Sequence, residues 1–196
     1  KAVDISAAYI QAVQITTQPT AQTVTYGADV TLSIAAQNPS GNATGITYQW
    51  YKDSSALPGE TSNTLTLTKP NAGTYQYHCA VTYDGITINS DSATVTVNKA
   101  AGSVTITGNP GKTYDGQPAV LTESGYTVTG DGAVTVEYTK QGENSYSTAA
   151  PTNAGDYTVK VTQAVGTNYA EASSTKDFTI SQTGHRIRYY RQRQDL

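Results

Sequence analysis

The sequence predicts an all-β chain arranged as two tandem β-sandwich domains, on three observations. Apolar residues alternate with polar ones at period two in many short runs. Turn residues separate those runs at roughly ten-residue spacing. The second half of the chain repeats landmarks of the first in the same order.

Composition fits this class. Thr, Val and Tyr dominate, and these residues suit a pleated, half-buried surface. The chain has 15 Tyr against one Phe and one Trp. Its 17 Gly and 7 Pro fall mostly between apolar runs, where turns belong. With 196 residues it accommodates two domains of about 100 residues each. No stretch reads as a long amphipathic helix, and the nearest, Ile5–Val13, is short.

The internal repeat sets the organisation. Ile15-Thr16-Thr17-Gln18-Pro19 returns as Ile106-Thr107-Gly108-Asn109-Pro110. Thr25-Tyr26-Gly27 is echoed by Thr113-Tyr114-Asp115-Gly116, and Asn71-Ala72-Gly73-Thr74-Tyr75 by Asn153-Ala154-Gly155-Asp156-Tyr157. The offsets shrink from 91 to 88 to 82 residues, as expected of diverged copies with shorter loops in the second. The expected boundaries are an N-terminal segment 1–14, domains 15–98 and 99–182, and a basic tail 183–196.

In the first domain Val30, Leu32 and Ile34 alternate with polar or small residues, as do Ile46, Tyr48 and Trp50. Leu65 and Leu67 follow, then Tyr75, Tyr77, Cys79 and Val81, then Ala93, Val95 and Val97. Turns fall at residues 38–42, at Leu57-Pro58-Gly59 and at Asp84-Gly85. In the second domain strands are expected at Val104–Thr107, Val120–Thr122, Tyr126–Thr129, Val134–Tyr138, Tyr157–Val161 and Asp177–Ile180. Asp131-Gly132 reads as a hairpin turn.

Charge separates the body from the tail. All four arginines lie among the last 11 residues, while residues 1–184 carry 8 Lys against 14 acids. A mildly acidic, Tyr- and Thr-rich body argues against a nucleic-acid or anionic-membrane partner. There is no apolar run of the 18 or more residues that a membrane-spanning helix needs. The chain starts with Lys1, which reads as a fragment whose targeting and anchoring signals lie elsewhere. The single cysteine, Cys79, cannot make an internal bridge.

The first domain resembles bacterial immunoglobulin-like domains. Trp50, in Tyr48-Gln49-Trp50-Tyr51-Lys52-Asp53, sits where that family places its core tryptophan. The segment Asn71-Ala72-Gly73-Thr74-Tyr75-Gln76-Tyr77 resembles its corner motif, which makes Tyr75 the corner tyrosine. The family's two bridging cysteines map to Ile34 and Tyr77, so the resemblance implies that Trp50 packs against those two side chains. The second domain resembles the MBG or YDG immunoglobulin-like repeat. This resemblance is carried by Lys112-Thr113-Tyr114-Asp115-Gly116-Gln117-Pro118, by the segment 150–159 with Tyr157, by Asn168-Tyr169 and by Phe178-Thr179-Ile180. It implies two tandem immunoglobulin-like sandwiches from a Gram-positive surface protein, extracellular and cell-wall associated, acting as a non-catalytic spacer, stalk or adhesin segment. The expected partners are neighbouring repeats of the same chain.

No catalytic or cofactor site is expected. A nucleophilic thiol needs a base within hydrogen-bond reach. His78 adjoins Cys79 in sequence, but neighbouring strand residues point to opposite faces, so Cys79 reads as a buried, inert thiol. The pairs Asp84-Gly85, Asp115-Gly116 and Asp131-Gly132 do not extend into a calcium loop. Neither Lys160, on an outward parity, nor Lys176, at a strand's rim, suits an isopeptide crosslink. Glu137 has no second acid with which to share a cleft. Tyr51, Tyr83, Tyr146 and Tyr169 lie in or beside loops, where aromatic faces stack on sugar rings. The alternative functions are a module that binds an extracellular glycan or host protein, and an accessory domain of a polysaccharide-degrading enzyme. The basic tail reads as a flexible or foreign segment, or as a guarded edge strand.

Overall fold

The structure, a computed structural model, describes residues 13–184. Most of the expected N-terminal segment and of the basic tail, including His185 and the four arginines, lies outside the described residues. The chain is all-β and divides into two compact units between Ala100 and Ala101.

In the first unit the strands are β1 (Gln14–Thr17), β2 (Gln22–Thr25), β3 (Val30–Ser33), β4 (Ala35–Gln37) and β5 (Thr47–Lys52). They continue with β6 (Ser55–Ala56), β7 (Thr64–Leu67), β8 (Gly73–Tyr83), β9 (Ile86–Asn89) and β10 (Ala93–Asn98). One sheet runs β2-β10-β8-β5-β6, with β9 also on β8, while β1 pairs with β4 and β3 with β7. Alternation places Val30, Leu32, Leu65, Trp50, Tyr77, Cys79, Val81, Val95 and Val97 in one buried cluster. The Asp84-Gly85 turn joins β8 to β9 as a two-residue hairpin with φ of 47° and 76°, the left-handed pair that an Asp-Gly turn supplies. The strand returning along β8 is broken. Ala80 pairs with Asn89 but Tyr77 with Ala93, so one extra residue is absorbed between β9 and β10. Ser90 fills the break, its hydroxyl accepting from Cys79 N at 2.9 Å and its own N–H donating to Cys79 O.

Trp50 is fully buried, and its Nε1 donates to the carbonyl of Ser62 at 2.9 Å. Ile34 and Tyr77, at the family's disulfide positions, are each 2% exposed and share Trp50's cluster. Apolar and aromatic burial therefore occupies the place of a bridge.

The second unit holds β11 (Ser103–Ile106), β12 (Lys112–Thr113), β13 (Tyr126–Thr129), β14 (Val134–Lys140), β15 (Gly155–Gln163) and β16 (Ala172–Ser181). One sheet runs β12-β16-β15-β14 and the other is β11-β13. Tyr138, Tyr157, Val159, Val161, Phe178 and Ile180 form its core. Phe178 stacks on Tyr157 and meets Tyr138 edge-on, so three aromatic rings do the filling that one tryptophan does in the first unit.

Two expectations for this unit are corrected. Val120–Thr122 is not a strand: it is irregular chain leading into a 3₁₀ turn at Glu123–Gly125. The Leu121 N–H donates to the Tyr138 hydroxyl and that of the preceding Ala119 to Pro151 O, rather than to a neighbouring strand. Asp131-Gly132 is not a hairpin turn, because β13 and β14 belong to different sheets. The Asp131 carboxylate instead accepts the N–H groups of Asn168 (2.8 Å) and Tyr169 (3.2 Å), tying down a distant loop.

Candidate functional site

The corner motif is built twice. The hydroxyl of Tyr75 donates to the carbonyl of Asn71, and that of Tyr157 to Asn153, each at 3.0 Å. The glycine between has a steric reason: a methyl on Gly73 would sit 2.9 Å from the Tyr75 hydroxyl. Each hydroxyl bond is worth about 0.5–1.5 kcal/mol net. Tyr75→Phe and Tyr157→Phe are thus each expected to lower stability by about 1 kcal/mol in urea unfolding. Unchanged midpoints for both would show that the corners do not depend on the hydroxyls.

Cys79 lies on the inward parity of β8, fully buried, with its thiol toward Ala80 O at 3.6 Å. His78, on the outward parity, stacks on Tyr51 with ring centroids 4.9 Å apart and planes within 7°. Burial pushes the Cys79 thiol up to about 11, against a smaller lowering by the backbone of Gln49. Burial also raises Tyr77, helped by Tyr75 and Asp53. A group raised in the folded state holds its proton more tightly there than in the unfolded chain. The stability this confers is whole below the unfolded thiol's range, near 9, and is lost as pH rises to about 11. Urea midpoints are expected to fall over that window, less steeply in Cys79→Val. Native protein at pH 8 should not react with a thiol reagent, and urea should release one equivalent. Prompt reaction of the folded chain would contradict the buried thiol.

The four candidate tyrosines stand in different local settings, two in each unit. Tyr51 faces outward from β5, while Tyr83 has the inward parity of β8 and packs on the core. Tyr146 is 37% exposed, with Lys160 Nζ 4.9 Å from its ring centre. Tyr169 sits in the loop held by Asp131. Lys160 also reaches Glu137 at 3.5 Å, and Lys176 Nζ donates to Thr107 O at 3.2 Å. Among the described residues, no three His, Cys, Asp or Glu side chains group as a metal site.

Two features escaped the sequence reading. Gln163 is fully buried at the end of β15, its Nε2 donating to Ala164 O and its Oε1 without a partner. The other is the conformation of the Tyr114-Asp115-Gly116 turn. Asp115 takes Lys112 Nζ at 2.7 Å and Gln117 N at 3.0 Å, and the bond from Lys112 holds its carboxyl below the usual range. Gly116 supplies φ of +76°. Tyr114 N is bonded to Ser181 O at 2.8 Å, yet its side chain stands 41% exposed.

Strand topology, the buried Trp50 and the paired corners define a tandem of immunoglobulin-like β-sandwiches. Residues 12–97 match the family model for the immunoglobulin domain, and residues 101–189 match that for the MBG domain. The chain carries an immunoglobulin domain followed by an MBG domain, a bacterial immunoglobulin-like repeat. A curated relative, the highly immunogenic outer capsid protein of Enterobacteria phage T4, is 28% identical over 168 residues. The match covers 79% of this chain and 42% of the relative, so the chain spans less than half of that protein's length. Similar solved structures include the N-terminal Ig1-2 module of Drosophila Receptor Protein Tyrosine Phosphatase DLAR, with TM-score 0.37, 17% identity, and coverage of 88% of this chain and 100% of that one. Another is an I-band fragment of titin, with TM-score 0.39, 16% identity, and coverage of 87% and 65%.

Proposed function

We propose that this two-domain segment is a non-catalytic structural piece of an extracellular surface, a spacer that carries other parts of its protein outward. The observation behind this reading is that each domain pairs an early strand with its last strand in parallel. In the first, β2 pairs with β10 over Gln22–Thr25 and Val95–Asn98, and Tyr26 N adds a bond to Asn98 O. In the second, β12 pairs with β16 at Lys112 with Ile180 and Thr113 with Ser181, and Tyr114 N adds one more. Tension on the two ends of a domain pulls such strands in opposite directions along their length. All the bonds of the pairing are then strained together rather than unzipped one at a time. Kinship with an outer capsid protein supports a place on an exposed surface. That relative belongs to a bacteriophage, so nothing ties the surface to a Gram-positive cell wall.

Single-molecule stretching of the chain between marker domains tests this. Two unfolding events are expected per molecule, each releasing roughly 300 Å of chain. The second domain, with the shorter parallel pairing, should yield at the lower force. Extension without force peaks would overturn the spacer reading.

A further inference from the structure

Gln163 stands where the first domain has a valine. The offset of 82 residues that takes Tyr75 to Tyr157 takes Val81 to Gln163. Both side chains are fully buried, Val81 on β8 and Gln163 at the end of β15. Burying a carboxamide costs free energy that burying a valine does not. The cost grows when an acceptor is left without a donor, as Oε1 of Gln163 is among the described residues. A sandwich that closes with valine at this place has no packing need for glutamine. The carboxamide answers to something particular to the second domain.

Its surroundings come from separate parts of that domain. Gly102 is the second residue of the unit, Gly130 follows β13, and Gly132 precedes β14. A methyl on Gly102 would stand 2.6 Å from Gln163 Oε1, and one on Gly132 2.7 Å from Nε2. A methyl on Gly130 would overlap the carboxamide carbon. Nε2 donates to Ala164 O, which fixes the plane of the amide. Oε1 is thereby turned toward the Cα atoms of Gly102 and Gly130, whose C–H groups are weak donors. Gly102 is hemmed on its other side by Ala170 O, in the loop between β15 and β16.

Chain order makes Gly102 the place to hold. From the first unit the chain arrives at Ala101, passes Gly102 and runs into β11. β11 belongs to the two-stranded sheet with β13. The parallel pairing of β12 with β16 begins only at Lys112. β15, by contrast, is an inner strand, flanked by β16 and β14. We infer that Gln163 is a latch: its carboxamide fastens the entering chain at Gly102 to β15. A pull arriving from the first domain is then carried to the inner sheet instead of peeling β11 away. This deepens the spacer reading and rests on it for its purpose, while the fastening itself is tested without force.

Native-state hydrogen exchange of the whole chain is the first test. Thr107 N and Gly108 N, both bonded to Gly125 O, report on the end of β11, and the amides of Val159 and Val161 report on β15. In Gln163→Ala the acceleration at 107 and 108 should exceed that at 159 and 161 by about tenfold. A carboxamide that merely filled the core would change both sets by the same factor. Gly102→Ala pushes the chain off the latch from the other side and should give the same split. If the variants do not fold, the wild type decides, since its amides at 107 and 108 should open only together with β15. Stretching gives a second readout. The wild-type second domain should yield in one step, whereas each folded variant should first release up to roughly 35 Å of chain, residues 102–111. Equal acceleration of both sets, early opening at 107 and 108 in the wild type, or folded variants that yield in one step would each overturn the latch. Loss of every force peak in the wild type would instead sink the spacer reading, and exchange would still judge the latch.

Discussion

Trp50→Ala is expected to unfold the first domain under conditions where the second remains native. The indole is fully buried, and its Nε1 bond to Ser62 O is lost with it. Truncating a core tryptophan costs about 3–5 kcal/mol, while small domains hold only about 5–15 kcal/mol in total. Trp50 faces Cys79 across the β5–β8 register, inside the buried cluster of the first unit, so the void opens within the core. Amide NMR reads the outcome directly: signals from residues 13–100 should collapse while those of the second domain keep their dispersion. A variant with both sets intact would show that the first core does not depend on its indole.

The second large effect is expected from Gly132→Ala. A methyl there would lie 1.9 Å from Ala164 O and 2.7 Å from Gln163 Nε2. The obstacle is backbone, so it cannot rotate away. Gly102 and Gly130 press on the same carboxamide, which leaves Gln163 no room to retreat. Overpacking of this kind costs about 1–3 kcal/mol, and the contact with backbone puts Gly132→Ala at the upper end. Urea unfolding should show it, against Gly184→Ala as control, where an added methyl meets nothing. Equal midpoints for the two variants would contradict the enclosure.

Much of this arrangement was legible in the sequence. Trp50, Tyr75 and the alternation through Val81 were readable because strand parity and the corner motif are local patterns, and each names a face. The second domain resisted at two points. Val120–Thr122 has the composition of a strand, yet the Leu121 N–H finds the Tyr138 hydroxyl and the N–H of Ala119, just before it, finds Pro151 O, partners that are distant in sequence. Asp131-Gly132 has hairpin chemistry, but a turn does not state whether the strands it joins share a sheet. Gln163 did carry a signal, a polar residue on the inward parity of Val159 and Val161. Its enclosure depends on three glycines that are scattered along the chain. The tyrosine motif at 114 was visible, whereas its exposure was not, because that depends on what the facing loops leave open.

The solitary Cys79 has a consequence for how such a chain is made. Its two cores close by packing and by tyrosine hydroxyls, with no second thiol in the chain to oxidise. The native state is then reached in a reducing cytosol as readily as outside the cell. A domain threaded unfolded through a narrow export channel, or pulled open on a surface, returns to its fold without waiting for an oxidase or for disulfide reshuffling, which takes seconds to hours.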